Sequence, residues 1–312
     1  MSGPFQGGPE RPTVDVVIVS FQSRDCLLVA LTALADRAAL PIDVIVVDNA
    51  SEDGSVAAVR QAWPTARVLV NERNSGFSVA CNQGWRAGTA PLVLFLNPDA
   101  EVRPGAVAAL ARCLQARPDA GITGPRTLNS DGSVQVSTGR DLSLVSERQQ
   151  RRLVRGVANR ESRALAEADA RHAHQQEPDW VSGSCLMIRR ECLEAVGGFD
   201  EGFFLYEEDA DLCRRVRAAG WRVLFEPSAE VAHQLGRSMA RHAGRARLEY
   251  HRSHLRYYRK HNGAGALVLL HGLLVARGAL AWLAALLRAD APGRVEACAI
   301  VRTGRGVEPT AR

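Results

Sequence analysis

Four apolar runs along this chain each end on a carboxylate or an imidazole. They are VIVVD ending at Asp48, LFLNPD ending at Asp99, FFLYEEDAD ending at Asp211, and EVAH ending at His233. The first two predict buried strands, and open α/β sheets bind ligands at the carboxyl ends of their strands. Acids gathered there with one histidine indicate a metal-assisted site for an anionic ligand, such as a nucleotide diphosphate.

The composition fits one large domain or two small ones. The 312 residues are 46% hydrophobic, which is enough for a sizeable core, and carry a net charge of +5. This charge is uneven, because residues 237–260 are strongly basic and residues 201–211 strongly acidic. Basic segments can meet nucleic acid or anionic lipid. We expect a membrane surface as partner and no nucleic acid, whereas the acidic segment suggests a cation or a hydroxyl substrate.

The cysteines and the N-terminus indicate a cytosolic protein. Seven scattered cysteines form no CxxC pair, which favours reduced, buried thiols over a disulfide framework or a zinc site. Residues 1–12 are polar and rich in Gly and Pro. This pattern predicts a disordered tail and no signal peptide.

Residues 267–287 form a long apolar segment that approaches the length of a membrane span. His271 and Arg277 interrupt it, and an arginine near the bilayer centre is costly. We therefore expect a helix lying in the membrane interface, anchored by Trp282 and the preceding basic segment. A docking helix or a dimer helix is the alternative, and the sequence leaves the oligomeric state open.

The first half alternates between strand and helix patterns. We expect strands at residues 14–20, 44–47, 67–70 and 92–96. We expect helices at residues 27–36, from the turn after Asp48 to about residue 63, at 77–87, and at 104–116 with Pro104 as the first helical residue. This alternation predicts a mostly parallel, doubly wound α/β sheet with helices on both faces.

The second half changes character. Residues 146–177 are highly charged and predict a helical or mobile surface excursion. We expect one strand at 180–188, a helix at 191–196, an amphipathic helix at 209–219 and a strand at 222–225. The nucleotide-binding motifs GxGxxG and GxxxxGK[ST] are both absent from the sequence.

Several stretches in this order resemble family 2 glycosyltransferases of the GT-A fold, and most closely their bacterial rhamnosyltransferase branch. The matching stretches are VVIVSFQSRDCL, VIVVDNASEDGS, NERNSGFSVACNQGW, VLFLNPDAEV, WVSGSCLMIRRECLEAVGGFDEGFFLYEEDADLCRRVRAAGW and PSAEVAHQLGRS. The resemblance implies a GT-A domain at residues 13–240, with a nucleotide-binding half at 13–125 and an acceptor-binding, catalytic half at 126–240. We expect residues 241–290 to form a helical, membrane-associating extension and residues 291–312 a flexible tail.

The resemblance also implies a donor site. Asp48 would read uracil or thymine, although an aspartate in a turn is the alternative. The usual Asp-x-Asp motif is here Asn97-Pro98-Asp99, so its first acid is missing and Asn97 adds no charge. Asp99 and His233 would hold Mg²⁺ or Mn²⁺ on the donor diphosphate. The further nucleotide-side candidates are Ser20, Arg73, Asn74 and Asn82.

Carboxylates crowd the start of the predicted helix at 209–219. The resemblance places Glu208 and Asp209 on the family's Glu-Asp pair, so Asp209 would be the general base and Glu208 would position the acceptor. A helix N-terminus stabilises carboxylates, and we expect it to keep these ionised at neutral pH. Helix capping by Asp209 is the alternative. The acceptor-side candidates are Trp180, Ser182, Gly183 and Asp211.

Together these features predict an inverting glycosyltransferase at the inner face of the cell membrane. The donor would be a dTDP- or UDP-sugar, with dTDP-L-rhamnose first, and the acceptor a lipid-linked sugar or a growing cell-surface glycan, as in polysaccharide and cell-wall biosynthesis. A nucleotidyltransferase is a rival, but residues 21–25 lack the glycine that its phosphate loop needs. An inactive membrane-associated scaffold is the third possibility, which the missing first acid favours.

Overall fold

The computed structural model describes residues 13–234, 243–287 and residue 298. The expected tails at 1–12 and 291–312 lie outside these residues, apart from residue 298. In the first half the strands are β1 (Val14–Ser20), β2 (Ile42–Asp48), β3 (Arg67–Val70) and β4 (Leu92–Leu96). The helices between and after them are α1 (Arg24–Arg37), α2 (Ser55–Ala62), α3 (Phe77–Ala87) and α4 (Ala106–Ala116).

The strands β1 to β4 form a parallel sheet in the order β3-β2-β1-β4. Their β-branched residues face helices on both sides, because α1 and α4 pack in one apolar cluster and α3 in another. The expected doubly wound architecture is confirmed here. In this register Ser20 lies opposite Asp48, so both side chains lie at the carboxyl edge of the sheet.

The second half extends the same sheet with mixed strand directions. Its elements are β5 (Ala100–Val102), β6 (Ala120–Leu128), β7 (Thr138–Gly139), α5 (Leu144–Ala158), α6 (Ser162–Arg171), β8 (Trp180–Val181), β9 (Cys185–Arg189), α7 (Arg190–Val196), α8 (Glu208–Ala218) and β10 (Arg222–His233). The sheet continues from β4 in the order β9-β6-β10-β5. The strand β9 runs antiparallel to β4 and β6, and β5 runs antiparallel to β10.

Several expected boundaries were wrong, including the following three. The expected strand at 180–188 is two strands, since the segment Ser182-Gly183-Ser184 leaves β8 before β9 begins. The helix α4 begins at Ala106, because Gly105 has a φ of 78° in the left-handed region and Pro104 therefore precedes the helix. The last strand continues beyond residue 225 to His233, with a register shift between Glu226 and Glu230.

The charged segment at 146–177 folds into α5 and α6. These helices share a small apolar cluster with the strand-like segment before them, in which Leu153, Val157, Ala164 and Ala168 pack against Val134. Alanine and valine at helical spacing supply this cluster, although few large apolar residues are available. The surface excursion is therefore a packed helical pair.

Two helices follow β10, namely α9 (Ala243–His261) and α10 (Ala264–Leu287). On α9, Tyr257 and Tyr258 are fully buried in one cluster with Phe203, which precedes α8. The sequence places the catalytic domain boundary at residue 240, whereas the packing continues through α9. Within the described residues, one helical stretch, Ala264–Ala284, is long and apolar enough to cross a membrane, and little of it is buried.

Candidate active site

A cavity of about 850 Å³ opens beside the second half of the sheet. It brings together residues from many separate stretches of the sequence, between Phe77 and Tyr250, which is the usual construction of a ligand site. The predicted site residues that line it are Asn97, Trp180, Ser182, Gly183, Glu208, Asp209 and His233. Residues that the sequence motifs do not single out, including Glu147, Gln135 and Tyr250, line it too.

The pairing of β5 with β10 brings Asp99 to His233. In this antiparallel register Ala100 lies opposite His233, and the Gln234 N–H donates to the Asp99 carbonyl over 3.0 Å. The His233 Nε2 atom lies 3.2 Å from Asp99 Oδ1, and both side chains are largely buried. Asp99 itself faces a smaller cavity of about 110 Å³, so His233 lies between it and the large cavity.

A chain of amides fixes the orientation of the His233 ring. The Gln135 Nε2 atom donates to Asn129 Oδ1 over 3.1 Å, which directs Gln135 Oε1 at His233 Nδ1, 2.9 Å away. The imidazole therefore donates its Nδ1–H to Gln135, which leaves the lone pair of Nε2 free to bind a cation. Such outer contacts typically orient a metal-binding histidine.

The donor atoms of Asp99 and His233 fit two neighbouring ligands of one divalent cation. Adjacent ligands of an octahedral ion with bonds of about 2.1 Å lie roughly 3 Å apart, close to the observed 3.2 Å. Among the described residues no cluster of three or more His, Cys, Asp or Glu side chains could hold a metal.

Asp209 is held at the cavity by backbone donors. The Gly183 N–H donates to Asp209 Oδ2 over 2.7 Å, and the Ala210 N–H donates to Oδ1 over 2.7 Å. A Cβ on Gly183 would press against the Asp209 side chain, so glycine permits this approach. The break between β8 and β9 supplies the contact, because it turns the Gly183 N–H towards α8.

The pKa values of Glu208 and Asp209 are both shifted by their surroundings. Burial raises the pKa of Asp209, although the Gly183 and Ala210 donors oppose this. Burial and the neighbouring Asp209 raise the pKa of Glu208 well above its ordinary value, and Glu208 Oε2 has no hydrogen-bond partner within the described chain. Desolvation therefore outweighs the stabilising effect of the helix N-terminus, and the pKa of both acids is raised instead of lowered.

The other two acids of this segment differ, because Glu207 lines the cavity and Asp211 does not. Asp211 is fully buried, lies outside the cavity lining and contacts Arg215, Lys260 and His261. Its side chain therefore joins α8 to α9, away from the acceptor side where the sequence places it. Glu207 directly precedes α8 as its N-cap residue and is buried in contact with His254 of α9.

The nucleotide-side candidates lie at the edge of the parallel strands, outside the lining of the large cavity. Asp48 is buried, and its Oδ2 accepts the Ser51 N–H over 2.8 Å. Its Oδ1 has no hydrogen-bond partner among the residues that the structure describes. The Ser20 hydroxyl is paired with Ser23, 3.0 Å away. An acceptor left free at a strand end suits a nucleobase N–H.

The remaining candidates have structural contacts. Asn82 is buried, where its amide bonds the backbone of Phe199 and accepts from the Trp85 indole. Asn74 accepts the Gly76 N–H over 3.0 Å and thereby shapes the turn before α3. Arg73 is exposed on the same connection. The structure brings none of these three side chains to the large cavity.

Sequence reasoning missed Gln135 and Asn49. Asn49 is buried, and its Oδ1 accepts from Asn71 over 2.8 Å and from Ser75 over 3.1 Å, which ties the turns after β2 and β3 together. Its place directly after Asp48 was the available signal. Gln135 lies in an irregular connection without any motif, so only the tertiary contact with His233 reveals it.

A family comparison matches most of the chain. The family described as "Glycosyltransferase like family 2" matches residues 11–259 of the chain. The chain belongs to glycosyltransferase family 2. The match ends within α9, so it includes this helix almost completely.

Characterised relatives of this glycosyltransferase include rhamnosyltransferases. An N-acetylglucosaminyl-diphospho-decaprenol L-rhamnosyltransferase of Mycobacterium tuberculosis is 35% identical over 251 residues, which cover 73% of this chain and 79% of the relative. The rhamnosyltransferase WbbL of Escherichia coli is 42% identical over 55 residues, which cover 18% of this chain and 21% of the relative.

Solved structures show that the glycosyltransferase has the GT-A fold. A mannosyltransferase of Pyrobaculum calidifontis, in complex with GDP-mannose and Mn²⁺, aligns with a TM-score of 0.57 at 17% identity, over 98% of this chain and 90% of that one. The TarS protein of S. aureus aligns with a TM-score of 0.53 at 15% identity, over 96% of this chain and 93% of that one. At such identities the likeness concerns the fold alone.

Proposed function

We propose that this glycosyltransferase inverts the anomeric centre as it moves a sugar, first choice L-rhamnose from dTDP-L-rhamnose, onto a glycan or lipid-linked hydroxyl. The observation that carries this proposal is the single cavity lined by Asp209, Glu208 and His233, with Asp99 in contact with His233. The cavity therefore offers one bound ligand both a proton acceptor and a site for its departing diphosphate. The 35% identical rhamnosyltransferase supports the choice of sugar.

In the proposed reaction Asp209 accepts the proton of the acceptor hydroxyl as this oxygen attacks the anomeric carbon. The raised pKa of Asp209 brings it closer to neutral pH, where a general base is most effective. The Gly183 N–H keeps one carboxylate oxygen in place during this transfer. No second nucleophile is needed, so a single displacement inverts the configuration.

Asp99 and His233 would hold a divalent cation, Mg²⁺ or Mn²⁺, that supplies positive charge next to the leaving diphosphate. Gln135 keeps the His233 lone pair available for this role. Asn97 lines the cavity beside them but adds no charge. On the nucleotide side, Asp48 Oδ1 would accept an N–H of thymine or uracil.

We also place α10 at the membrane surface, which would bring the site to a lipid-linked acceptor. Its exposed side chains are almost all apolar and include Val268 at 71% exposure, Leu280 at 67% and the anchor-type Trp282. A helix that buries one face on α9 and exposes leucines on the other suits an interfacial position. Leu273→Glu with Leu280→Glu should abolish sedimentation with anionic vesicles, whereas retained binding would contradict this placement.

A donor screen tests the proposed function directly. The purified protein should release dTDP from dTDP-L-rhamnose in the presence of Mn²⁺ or Mg²⁺, faster with a polyprenyl-diphosphate sugar, and the product linkage should be inverted relative to the donor. EDTA should stop the reaction. Release of pyrophosphate from a nucleoside triphosphate, or no turnover of any sugar nucleotide, would contradict the proposal.

A further inference from the structure

The loop that leads into Asp209 has an unfavourable backbone. Tyr206 and Glu207 have φ angles of 72° and 65°, in the left-handed region that residues with side chains rarely adopt. Two such residues in sequence cost free energy, and they persist only where the surroundings hold them. Because Glu207 precedes the base by two residues, whatever holds this loop also sets the position of the Asp209 carboxylate.

The helix α9 supplies the contacts that hold the loop. The His254 Nδ1–H donates to Glu207 Oε1 over 2.9 Å, while His254 Nε2 lies 3.2 Å from Glu147 Oε2 on α5. The Tyr258 hydroxyl donates to the other Glu147 oxygen over 2.6 Å. The Ser253 hydroxyl donates to the Leu205 carbonyl over 2.8 Å. The imidazole is only 1% exposed, so water does not compete for these contacts.

A second contact lies two turns further along α9. His261 Nε2 is 2.6 Å from Asp211 Oδ1. Histidines seven residues apart lie on the same face of a helix, and Glu207 and Asp211 are four residues apart at the start of α8. One face of α9 therefore contacts α8 on both sides of Asp209.

From these contacts we infer that His254 is a positioning residue for glycosyl transfer, acting through Glu207 on the loop that carries the general base. This inference rests on the proposed role of Asp209. It also gives α9 a place in the active site, because Tyr250 on the same helix lines the cavity. His254 is about a turn away from Tyr250 and stacks on it, with ring centroids 5.5 Å apart.

The charges around His254 favour its protonated form. Burial alone would lower its pKa, but hydrogen bonds with Glu147 and Glu207 outweigh this and raise the pKa to about 9. Arg151 on α5 lies close by and donates to Glu147 and Tyr250. The other titratable or charged groups nearby are Tyr250, His251 and Tyr258 on α9 and Arg277 on α10. Burial lowers the pKa of His251 to about 4, so this neighbour is uncharged at neutral pH.

This charge gives the positioning contact a definite pH dependence. A raised pKa means that the folded state holds the proton more tightly than the unfolded state. The contact is therefore fully present at neutral pH and is lost as the pH rises through about 9. Loss of the imidazolium leaves Glu147 and Glu207 facing a neutral ring, which weakens the hold on the loop.

The test compares His254→Gln with the unchanged protein under saturating acceptor. We expect kcat to fall about 10- to 100-fold, since small displacements of a catalytic group have effects of this size. The donor KM should change less than about twofold, and the decline in kcat near pH 9 should disappear. Arg259→Gln, on the exposed side of the same helix, is the control and should keep the activity of the unchanged protein.

Should His254→Gln fail to fold, Glu147→Gln tests the same inference. It keeps the shape of the side chain but removes the charge, so the alkaline decline should move to lower pH. An unchanged kcat and pH profile in a folded variant would overturn the inference, even if the melting temperature fell. Full activity of Asp209→Asn would instead overturn the proposed base, so the two failures are distinguishable.

Discussion

The two halves of the sheet build their parts of the site in different ways. In the first half, Ser20, Asp48 and Asn97 each follow a parallel strand, so the strand order alone brings them to one edge. In the second half, Asp209 depends on Gly183, 26 residues away, and His233 on Gln135, 98 residues away. The residues proposed to recognise the donor thus lie on a regular scaffold, whereas the proposed catalytic residues depend on contacts that form only in the complete fold.

The largest effect should come from Asp209→Asn in the second half. A general base contributes roughly 10²- to 10⁴-fold, so we expect kcat for transfer to fall at least 100-fold with little change in the donor KM. Product formation at saturating donor measures this. Asp119→Asn, in an exposed ion pair with Arg117, is the control, and an active Asp209→Asn protein would remove the proposed base.

Next in size, His233→Gln should lower activity about 100-fold and raise the Mn²⁺ concentration needed for half-maximal rate, because one of two cation ligands is lost. Gln135→Leu should also lower activity, but only about 10-fold, because the loss of an outer contact to a metal ligand has effects of about this size. The exposed His174 provides the control His174→Gln. Equal Mn²⁺ dependence in all variants would contradict a cation at His233.

A change in the first half should affect binding instead. Asp48→Ala removes a charged acceptor, and such hydrogen bonds contribute about 1.5–3 kcal/mol, so we expect the donor KM to rise at least tenfold while kcat changes little. Initial rates against donor concentration measure both constants. The exposed Glu52 in the same turn gives the control Glu52→Gln. A fall in kcat without a rise in the donor KM would contradict the proposed division into a binding half and a catalytic half.

The smallest effect concerns stability. The folded state raises the pKa of Glu208, so it binds this proton more tightly than the unfolded chain, and ionisation of Glu208 costs stability as the pH rises above its ordinary range. Glu208→Gln removes this cost, and its melting temperature should exceed that of the unchanged protein by more at pH 8 than at pH 5. Glu191→Gln is an exposed control. A melting-temperature difference that is the same at pH 5 and pH 8 would contradict a raised pKa of Glu208.

Local sequence patterns predicted the first half well. Residues 14–20, 67–70, 77–87 and 92–96 were assigned with the bounds that β1, β3, α3 and β4 have in the structure. β-branched runs and helical spacing act over a few residues, so a sequence pattern suffices to recognise them. The motif order also identified the family and the cavity-lining stretch from Trp180 to Gly183.

The second half was less predictable because its contacts are distant in sequence. The break between β8 and β9 falls at Ser182-Gly183-Ser184, three small residues that we had assigned to one continuous strand. The left-handed residues before α8 are non-glycine residues held by α9, so no turn signal marks them. Likewise, the segment of α9 is basic, which suggested a surface, although Tyr257, Tyr258 and His254 are buried.

By itself, the sequence determined the strand and helix order, the family and the residue types that can bind a nucleotide sugar. The tertiary structure decided which carboxylates face the cavity, that Asp211 turns towards α9 while Asp209 meets Gly183, and that burial raises the pKa of the Glu208-Asp209 pair. The physical reason is the sequence distance between the residues that produce each property. Side-chain periodicity is a property of neighbouring residues, whereas desolvation and hydrogen-bond geometry depend on every element that surrounds a group.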